Sequence, residues 1–362
     1  MTDTVGSILT SAHPIFRDVP ITTERFGVHD NLVPEVVFVV PVHNQESHVR
    51  VNLESIRRCA VLPHEFSIVL DDCSDASEVE VRTWIADVLR DPLSGTSAVT
   101  VTSTKQSIFE TASDALGIKT STACYIVEVQ ADMFIEHVGF DQLLVSVLDG
   151  NPDVFAVSGR GIHPLSTVRR PTSPMLANLS RLSNAVASKA RALEMRLRPR
   201  VRPNGMLFRL TGQAGRLGAS IANPVALRPD PLAYIGGSVI RGPLALKRAD
   251  YLEIGGFDLD HFFLGNDDHD LIMRAQLELG RTGAYVPVQF SSPLDAGSTR
   301  KPRPPGAQQW FADVQQTFTR ESSLSVLFGP QEGASVKKRP FARSIRPVPR
   351  RESQDFGKES HG

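Results

Sequence analysis

The chain is poor in cysteine. Its three, Cys59, Cys73 and Cys124, are widely spaced and match neither a zinc-site spacing nor a disulfide framework. They read as reduced thiols of a cytoplasmic protein. Net charge is nearly absent as well: 39 Lys/Arg against 40 Asp/Glu leave −1, so the molecule as a whole exerts no pull on nucleic acid. No stretch approaches the ~18–20 apolar residues of a membrane span. Residues 1–20 carry acids and lack an apolar core, which does not fit a secretory signal. The expectation is a soluble protein, at most peripheral at the inner face of a membrane. No internal repeat is present.

What is there is an alternation. At 362 residues and 41% hydrophobic composition the chain can bury a large core. After residues 1–34, an N-terminal arm without sustained periodicity, residues 35–40 form a short β-branched run. Such a run suits a parallel strand buried on both faces. Residues 44–58 read as a helix, 66–70 as a strand, 75–89 as a helix, 98–102 as a strand, 108–119 as a helix and 125–129 as a strand. A helix over 134–151 and a strand over 154–158 follow. This order predicts an α/β fold of right-handed βαβ units, a Rossmann-like mostly parallel sheet flanked by helices.

The pattern breaks at residues 163–231, read as a basic, proline-rich, partly helical insertion into a domain spanning 35–332. From His163 to Pro229 there are twelve Lys/Arg and one acid, Glu194. Residues 175–198 have an amphipathic helical pattern with a basic face. That helix is a candidate for contact with an anionic membrane surface, or for plain packing on the sheet. The sheet pattern resumes at Tyr234, with a helix over 267–279 and a strand over 285–290. Residues 333–362 are polar, basic and Pro/Arg-rich, the composition of a disordered tail.

Acidic clusters fall where this fold would place a ligand. Ligands of open α/β sheets bind beyond the carboxyl ends of the strands. Asp71 and Asp72 close one strand, and Asp132 lies just past another. Asp267-Asp268-His269-Asp270 heads a helix. Two strand-end carboxylates in one crevice suit a nucleoside base and a hard divalent cation. Acids at a helix start are also favoured by the macrodipole alone, but three with a histidine repel one another unless a cation or a substrate hydroxyl is near. Pro41-Val42-His43-Asn44-Gln45-Glu46 forms a strand–helix turn suited to an anionic ligand. Arg300 and Lys301, within Ser298–Arg303, are candidate phosphate clamps.

Taken together these motifs resemble glycosyltransferase family 2, the inverting GT-A glycosyltransferases. Residues 41–46 look like the family's Pro-x-Tyr-Asn-x-Glu opening, with His43 in the tyrosine's place. Ile68 to Asp75 looks like its Val-Val-Asp-Asp-Gly-Ser-x-Asp segment. Gly255-Gly256-Phe257-Asp258 and Gly265 to Leu271 are similar to its Gly-Gly-Phe-Asp and Glu-Asp-x-Asp-Leu elements. The resemblance covers about residues 36–275, interrupted by the insertion. It implies a GT-A fold and transfer of a sugar from a nucleoside-diphosphate sugar, a UDP-sugar favoured, to a saccharide or lipid-linked acceptor. Polysaccharide or glycoconjugate synthesis would be the setting, with Mn2+ or Mg2+ as cofactor.

By the same resemblance Pro41, His43, Asn44, Glu46, Asp71, Asp72 and Gln130 would contact the donor, with Arg300 and Lys301 at its phosphates. Asp132 would hold the metal; a late histidine ligand seen in some relatives is missing here unless His269 or Asp295 substitutes. Asp268 would be the general base, with Asp267 beside it on the acceptor. The family's Asp-x-Asp appears here as Gln130-Ala131-Asp132, and no histidine lies between His269 and His361. Two other classes stay open: a catalytically silent nucleotide-sugar binder, suggested by Gln130, and a nucleotidyltransferase. The absence of glycine from Pro41 to Arg50 counts against the latter. Nucleic acid is not an expected partner.

Overall fold

The computed structural model describes residues 3–9, 13–29, 31–91, 95–163, 231–265, 267–292, 305–321 and 344–349. The insertion with the helix expected over 175–198, Asp295, the Ser298–Arg303 cluster and most of the 333–362 tail lie outside the described residues.

The described elements are α1 (Val5–Ile8), α2 (Pro14–Arg17), β1 (Ile21–Gly27), β2 (Val36–Val42), α3 (Val49–Cys59), β3 (His64–Asp71), α4 (Ser77–Val88), β4 (Thr96–Thr104), α5 (Phe109–Lys119) and β5 (Tyr125–Glu128). There follow β6 (Phe134–Ile135), α6 (Phe140–Gly150), β7 (Val154–Ser158), β8 (Ile162–His163), β9 (Leu232–Val239), β10 (Leu244–Lys247) and α7 (Arg248–Glu253). The last are α8 (Asp267–Glu278), β11 (Thr282–Tyr285), β12 (Phe290–Ser291), α9 (Pro305–Glu321) and β13 (Ser344–Pro347).

The main sheet runs β1-β4-β3-β2-β5-β10-β7-β11-β9-β13, with β8 on β9. β2, β3, β4, β5, β7, β8, β11 and β13 point one way; β1, β9 and β10 run against them. This is the expected mostly parallel α/β sheet flanked by helices. The continuous apolar run of β2 is explained by cover on both sides. Val36, Phe38 and Val40 pack toward α3, α4 and α6, with Leu53, Trp84 and Phe140. Val37 and Val39 pack toward α5 and α8, with Leu116 and Ile272. Among the described residues no helix is long and apolar enough to cross a membrane.

Several expectations shift. The first helix starts at Val49, not 44, because Asn44 takes a left-handed backbone (φ 51°) and the turn is used to contact the next loop. The 134–151 helix splits: Phe134–Ile135 pairs with Phe290–Ser291 as a separate two-stranded sheet, and the helix begins at Phe140. The 285–290 strand is likewise two pieces, β11 and β12. In the N-terminal arm, β1 is an edge strand antiparallel to β4. Within the expected disordered tail, Ser344–Pro347 instead pairs with β9. Arg346 anchors it through two bonds to Asp153, each 2.7 Å. Pro347 is tolerated there because the strand lies at a sheet edge.

Candidate functional site

The strand-end loops of the parallel half form one strained rim. Among the described residues the non-glycine positions with positive φ are Asn44 (51°), Asp72 (48°) and Phe109 (62°). Asn44 and Asp72 sit just past β2 and β3, and Phe109 opens α5 after the loop that follows β4. A bulky side chain in this region costs on the order of 1–3 kcal/mol and persists only when its surroundings force it. Such strain gathers at ligand sites.

What forces it is a hydrogen-bond latch. His43 donates from Nδ1 to the Asp71 carbonyl (2.6 Å), which leaves Nε2 to accept from Asn44 Nδ2 (3.2 Å). Asn44 Oδ1 accepts from the Ser74 amide at 2.8 Å. The Glu46 amide donates to Asp75 (3.1 Å), and the Glu46 carboxylate accepts from the Ala76 amide (3.0 Å) at the start of α4. Pro41, half-buried, closes β2 beside Val69 of β3. His43, Asn44 and Glu46, singled out as donor contacts, thus also bind the two loops together.

Asp71 and Asp72 part company. Asp71 is buried, and both its oxygens are taken. They accept from Ser107 Oγ (2.8 Å), Thr104 Oγ1 (3.2 Å) and the amides of Ile108 (2.7 Å) and Phe109 (3.0 Å). Burial raises its proton affinity and these donors oppose the rise. Its work is to cap α5 and hold Phe109 in its left-handed turn. The Phe109 ring stacks on Trp310 of α9, centroids 5.2 Å apart. Asp72 is exposed at the rim, its amide donating to Thr104 Oγ1 at 3.1 Å.

Beyond β5, Gln130 is held at both ends. Its Nε2 donates to Glu110 Oε1 at 2.6 Å, and its Oε1 accepts from Arg160 at 3.5 Å. The amide is chemically apt, since a carboxylate at position 130 would repel Glu110. Asp132 is half-buried and accepts from Ser292 Oγ at 3.5 Å. Among the described residues no group of three or more His, Cys, Asp or Glu side chains is arranged to hold a metal.

The acids heading α8 divide their work. Asp267 pairs with Arg241 Nη2 at 2.5 Å. Asp270 accepts from Arg274 (2.8 Å), which also donates to the carbonyls of Ile254 and Gly256. That ties the helix to the Gly255-Gly256 turn. Gly256 has φ 74°, and a Cβ there would stand 2.9 Å from the Tyr251 ring. Asp268 is half-buried, accepts from the His269 amide at 2.7 Å, and has no ion pair among the described residues. Burial raises its proton affinity, against the pull of Arg241. His269 is half-buried on the same turn, and burial disfavours its cation.

Arg241, unremarked in the sequence, is the hub. Its side chain is 8% exposed and faces Asp114 (2.7 Å), Glu110 (3.3 Å) and Glu128 (3.8 Å) as well as Asp267. Its guanidinium also lies 4.6 Å from the Phe257 ring centroid. One cation cannot neutralise this many buried carboxylates, so protons stay among them. Burial pushes Glu128 up to about 7 and Asp267 up to about 6, against Arg241. The signal for this cluster was Glu128 itself, an acid inside an apolar strand run. A buried acid needs a partner. Gln130, Glu110, Arg241 and Asp267 therefore form one chain of contacts from the Asp132 strand end to the first turn of α8.

No protein-family model and no curated protein matches the sequence. Solved structures with related folds include a mannosyltransferase of Pyrobaculum calidifontis, at 18% identity and TM-score 0.44, covering 74% of this chain and 57% of that one. A glucosyl-3-phosphoglycerate synthase of Mycobacterium tuberculosis overlaps at 13% identity and TM-score 0.41, covering 96% of this chain and 93% of its own. S. aureus TarS overlaps at 11% and 0.41, over 72% of this chain and 36% of that one. Identities and TM-scores this low leave activity to be argued from the chain's own residues.

Proposed function

We propose that this chain transfers a sugar from a nucleoside-diphosphate sugar to an acceptor hydroxyl, with inversion. The observation that carries the proposal is the division of labour on α8. Asp267 and Asp270 are spent on Arg241 and Arg274, while Asp268 makes no ion pair among the described residues and feels Arg241 only as a neighbouring charge. Its burial-raised proton affinity suits a general base, which works best near the operating pH. Asp268 takes the acceptor proton as the acceptor oxygen attacks the anomeric carbon from the face opposite the leaving diphosphate.

The donor lies along the strained rim. Asp72, exposed where Asp71 is not, accepts from the base, for which the imide N–H of uracil is suited. The Pro41–Glu46 turn and the start of α3 flank it. Divalent-cation use fits the residues at hand in one form. Asp132 supplies one carboxylate and the donor's diphosphate supplies other oxygens, as is usual for Mg2+. Such a cation, when bound, stabilises the departing diphosphate. The mannosyltransferase with GDP-Man and Mn2+, and the synthase with UDP and Mg2+, are similar folds to which such ligands bind. Arg300 and Lys301 are proposed at the phosphates.

The test is nucleotide binding and release across UDP-, GDP- and dTDP-sugars, with and without Mn2+, on wild type, Asp132→Ala and Asp268→Asn. The expected result is metal-dependent release of one nucleotide, lost in Asp132→Ala. In Asp268→Asn donor binding survives and release falls by about 10²–10⁴. Full activity of Asp268→Asn overturns the base assignment. Binding without release in wild type, whatever the acceptor offered, gives the silent binder. Neither binding nor release removes the glycosyltransferase reading.

A further inference from the structure

We infer that Arg241 is a positioning residue that fixes Asp268 against the Gln130–Asp132 strand end by clamping Asp267. The inference rests on the glycosyltransferase reading above. Its geometry is two-sided.

The main chain around Arg241 belongs to the donor side. Gly242, next in sequence, has φ 73°, and a Cβ there would meet Met133 Sδ at 2.4 Å and Gln130 Oε1 at 3.4 Å. The backbone thus passes directly over the Gln130–Met133 turn. Arg160 donates to the Arg241 carbonyl at 3.4 Å, and Ser158 donates to the Ile240 carbonyl at 2.6 Å, tying the same loop to the end of β7. The side chain, by contrast, reaches the acceptor side. Nη2 meets Asp267, the residue before Asp268, while Nη1 meets Asp114 and Glu110 of α5. Phe257 covers the guanidinium face. The α8 start is therefore referenced to the sheet through one planar, five-donor group.

Stability alone does not account for this arrangement. A buried ion pair often contributes no more than a well-packed apolar pair. Gathering Glu110, Asp114, Glu128 and Asp267 around one cation adds like-charge repulsion to that cost. What the planar guanidinium of arginine supplies is reach: Nη1 donates a hydrogen bond to Asp114 (2.7 Å) while Nη2 keeps a short ion contact with Asp267, so one group holds both carboxylates at once. A lysine in its place keeps the charge but offers a point cation that cannot span Asp267 and Asp114 together.

The experiment compares wild type, Arg241→Lys and Asp267→Asn, using the nucleotide sugar that wild type turns over in the donor panel. Folding is checked by circular dichroism, donor affinity by calorimetry, and turnover by nucleotide release. The expected result is an unchanged donor dissociation constant with release slowed about a hundredfold in each variant, the scale of a misplaced catalytic group. The double variant falls no further than the worse single one, because both break the same link. Where Arg241→Lys fails to fold, Asp267→Asn carries the test, since it lowers the buried charge. Unchanged release in folded variants overturns the role of Arg241 and leaves the glycosyltransferase reading standing. A parallel loss of donor affinity and release also overturns it, since that marks a collapsed site. Absence of nucleotide binding and release in wild type overturns the underlying reading and this inference with it.

Discussion

The strand-end loops and the Arg241 cluster are built on opposite principles. At the strand-end loops, Pro41–Glu46 and Asp71–Ser77, most polar groups find their partners locally. Asn44 serves Ser74, Glu46 serves Ala76, and Asp71 serves the start of α5. Around Arg241, carboxylates outnumber the cation that serves them, and the surplus is managed by protons and burial. Hydrogen-bonded loops hold their shape at any pH where their partners keep their form. The Arg241 cluster holds its shape only while its charges balance. The first kind of construction gives a fixed groove; the second gives a site whose energetics depend on pH.

Removing the cation breaks this contrast most sharply. Arg241→Met leaves Asp114, Glu128 and Asp267 buried without their counter-charge. The expected loss at neutral pH is about 3–5 kcal/mol, measured by urea denaturation. The loss shrinks as pH falls, because the orphaned acids take up protons. A loss independent of pH counts against the charge-balance account.

The corresponding cut on the other side is Asp71→Ala. It leaves Ser107 and the amides of Ile108 and Phe109 without their acceptor. Unsatisfied buried donors cost about 1–3 kcal/mol, and the left-handed turn at Phe109 loses its tether. The expected loss is of that size and persists from pH 6 to 8. A shift in the Trp310 fluorescence, reporting the stacked Phe109, accompanies it.

A milder change acts in the opposite direction. Glu128 has a folded-state value near 7 against the ordinary 4.5, raised mainly by burial. The folded protein therefore binds more protons than the unfolded chain between those values, and stability falls as pH rises through that window. Glu128→Gln replaces the carboxylate with a neutral group of the same shape. At pH 8 it is expected to stabilise by about 1–3 kcal/mol, and at pH 4 to change little. Destabilisation at pH 8 would mean that the Glu128 charge is matched by Arg241 after all.

The same contrast decides what was legible in the sequence. The alternating elements from β2 to β5 were readable because each strand is covered on both faces and the helices between them carry apolar residues at helical spacing. β1 was not, since it lies at the sheet edge with only Ile21 buried and leaves no period to read. The two-residue strands β6 and β12 are shorter than any pattern, and β13 is held by Arg346 rather than by apolar residues. In the site, the strand-end loops were legible because their residues are contiguous. The split between Asp71 and Asp72 was not, because Asp72 leaves the strand in a left-handed turn (φ 48°) that its side chain does not announce. Arg241 was invisible for a related reason. Its partners Glu110, Asp114, Glu128 and Asp267 are scattered along the chain, and only folding brings them together.

The smallest expected effect is the one that tests the local character of the latch. Glu46 is exposed, and its carboxylate accepts one bond, from the Ala76 amide at the head of α4. Glu46→Ala removes that acceptor, but water replaces it, so the expected cost is about 0.5–1 kcal/mol. The Asp75 and Ser77 bonds to the backbone amides of Glu46 and Gln45 remain, so the loop keeps its path. A loss well above this, by thermal denaturation, would mean that the latch acts as one cooperative network. The strand-end loops would then share with the Arg241 cluster the property that no member can be removed alone.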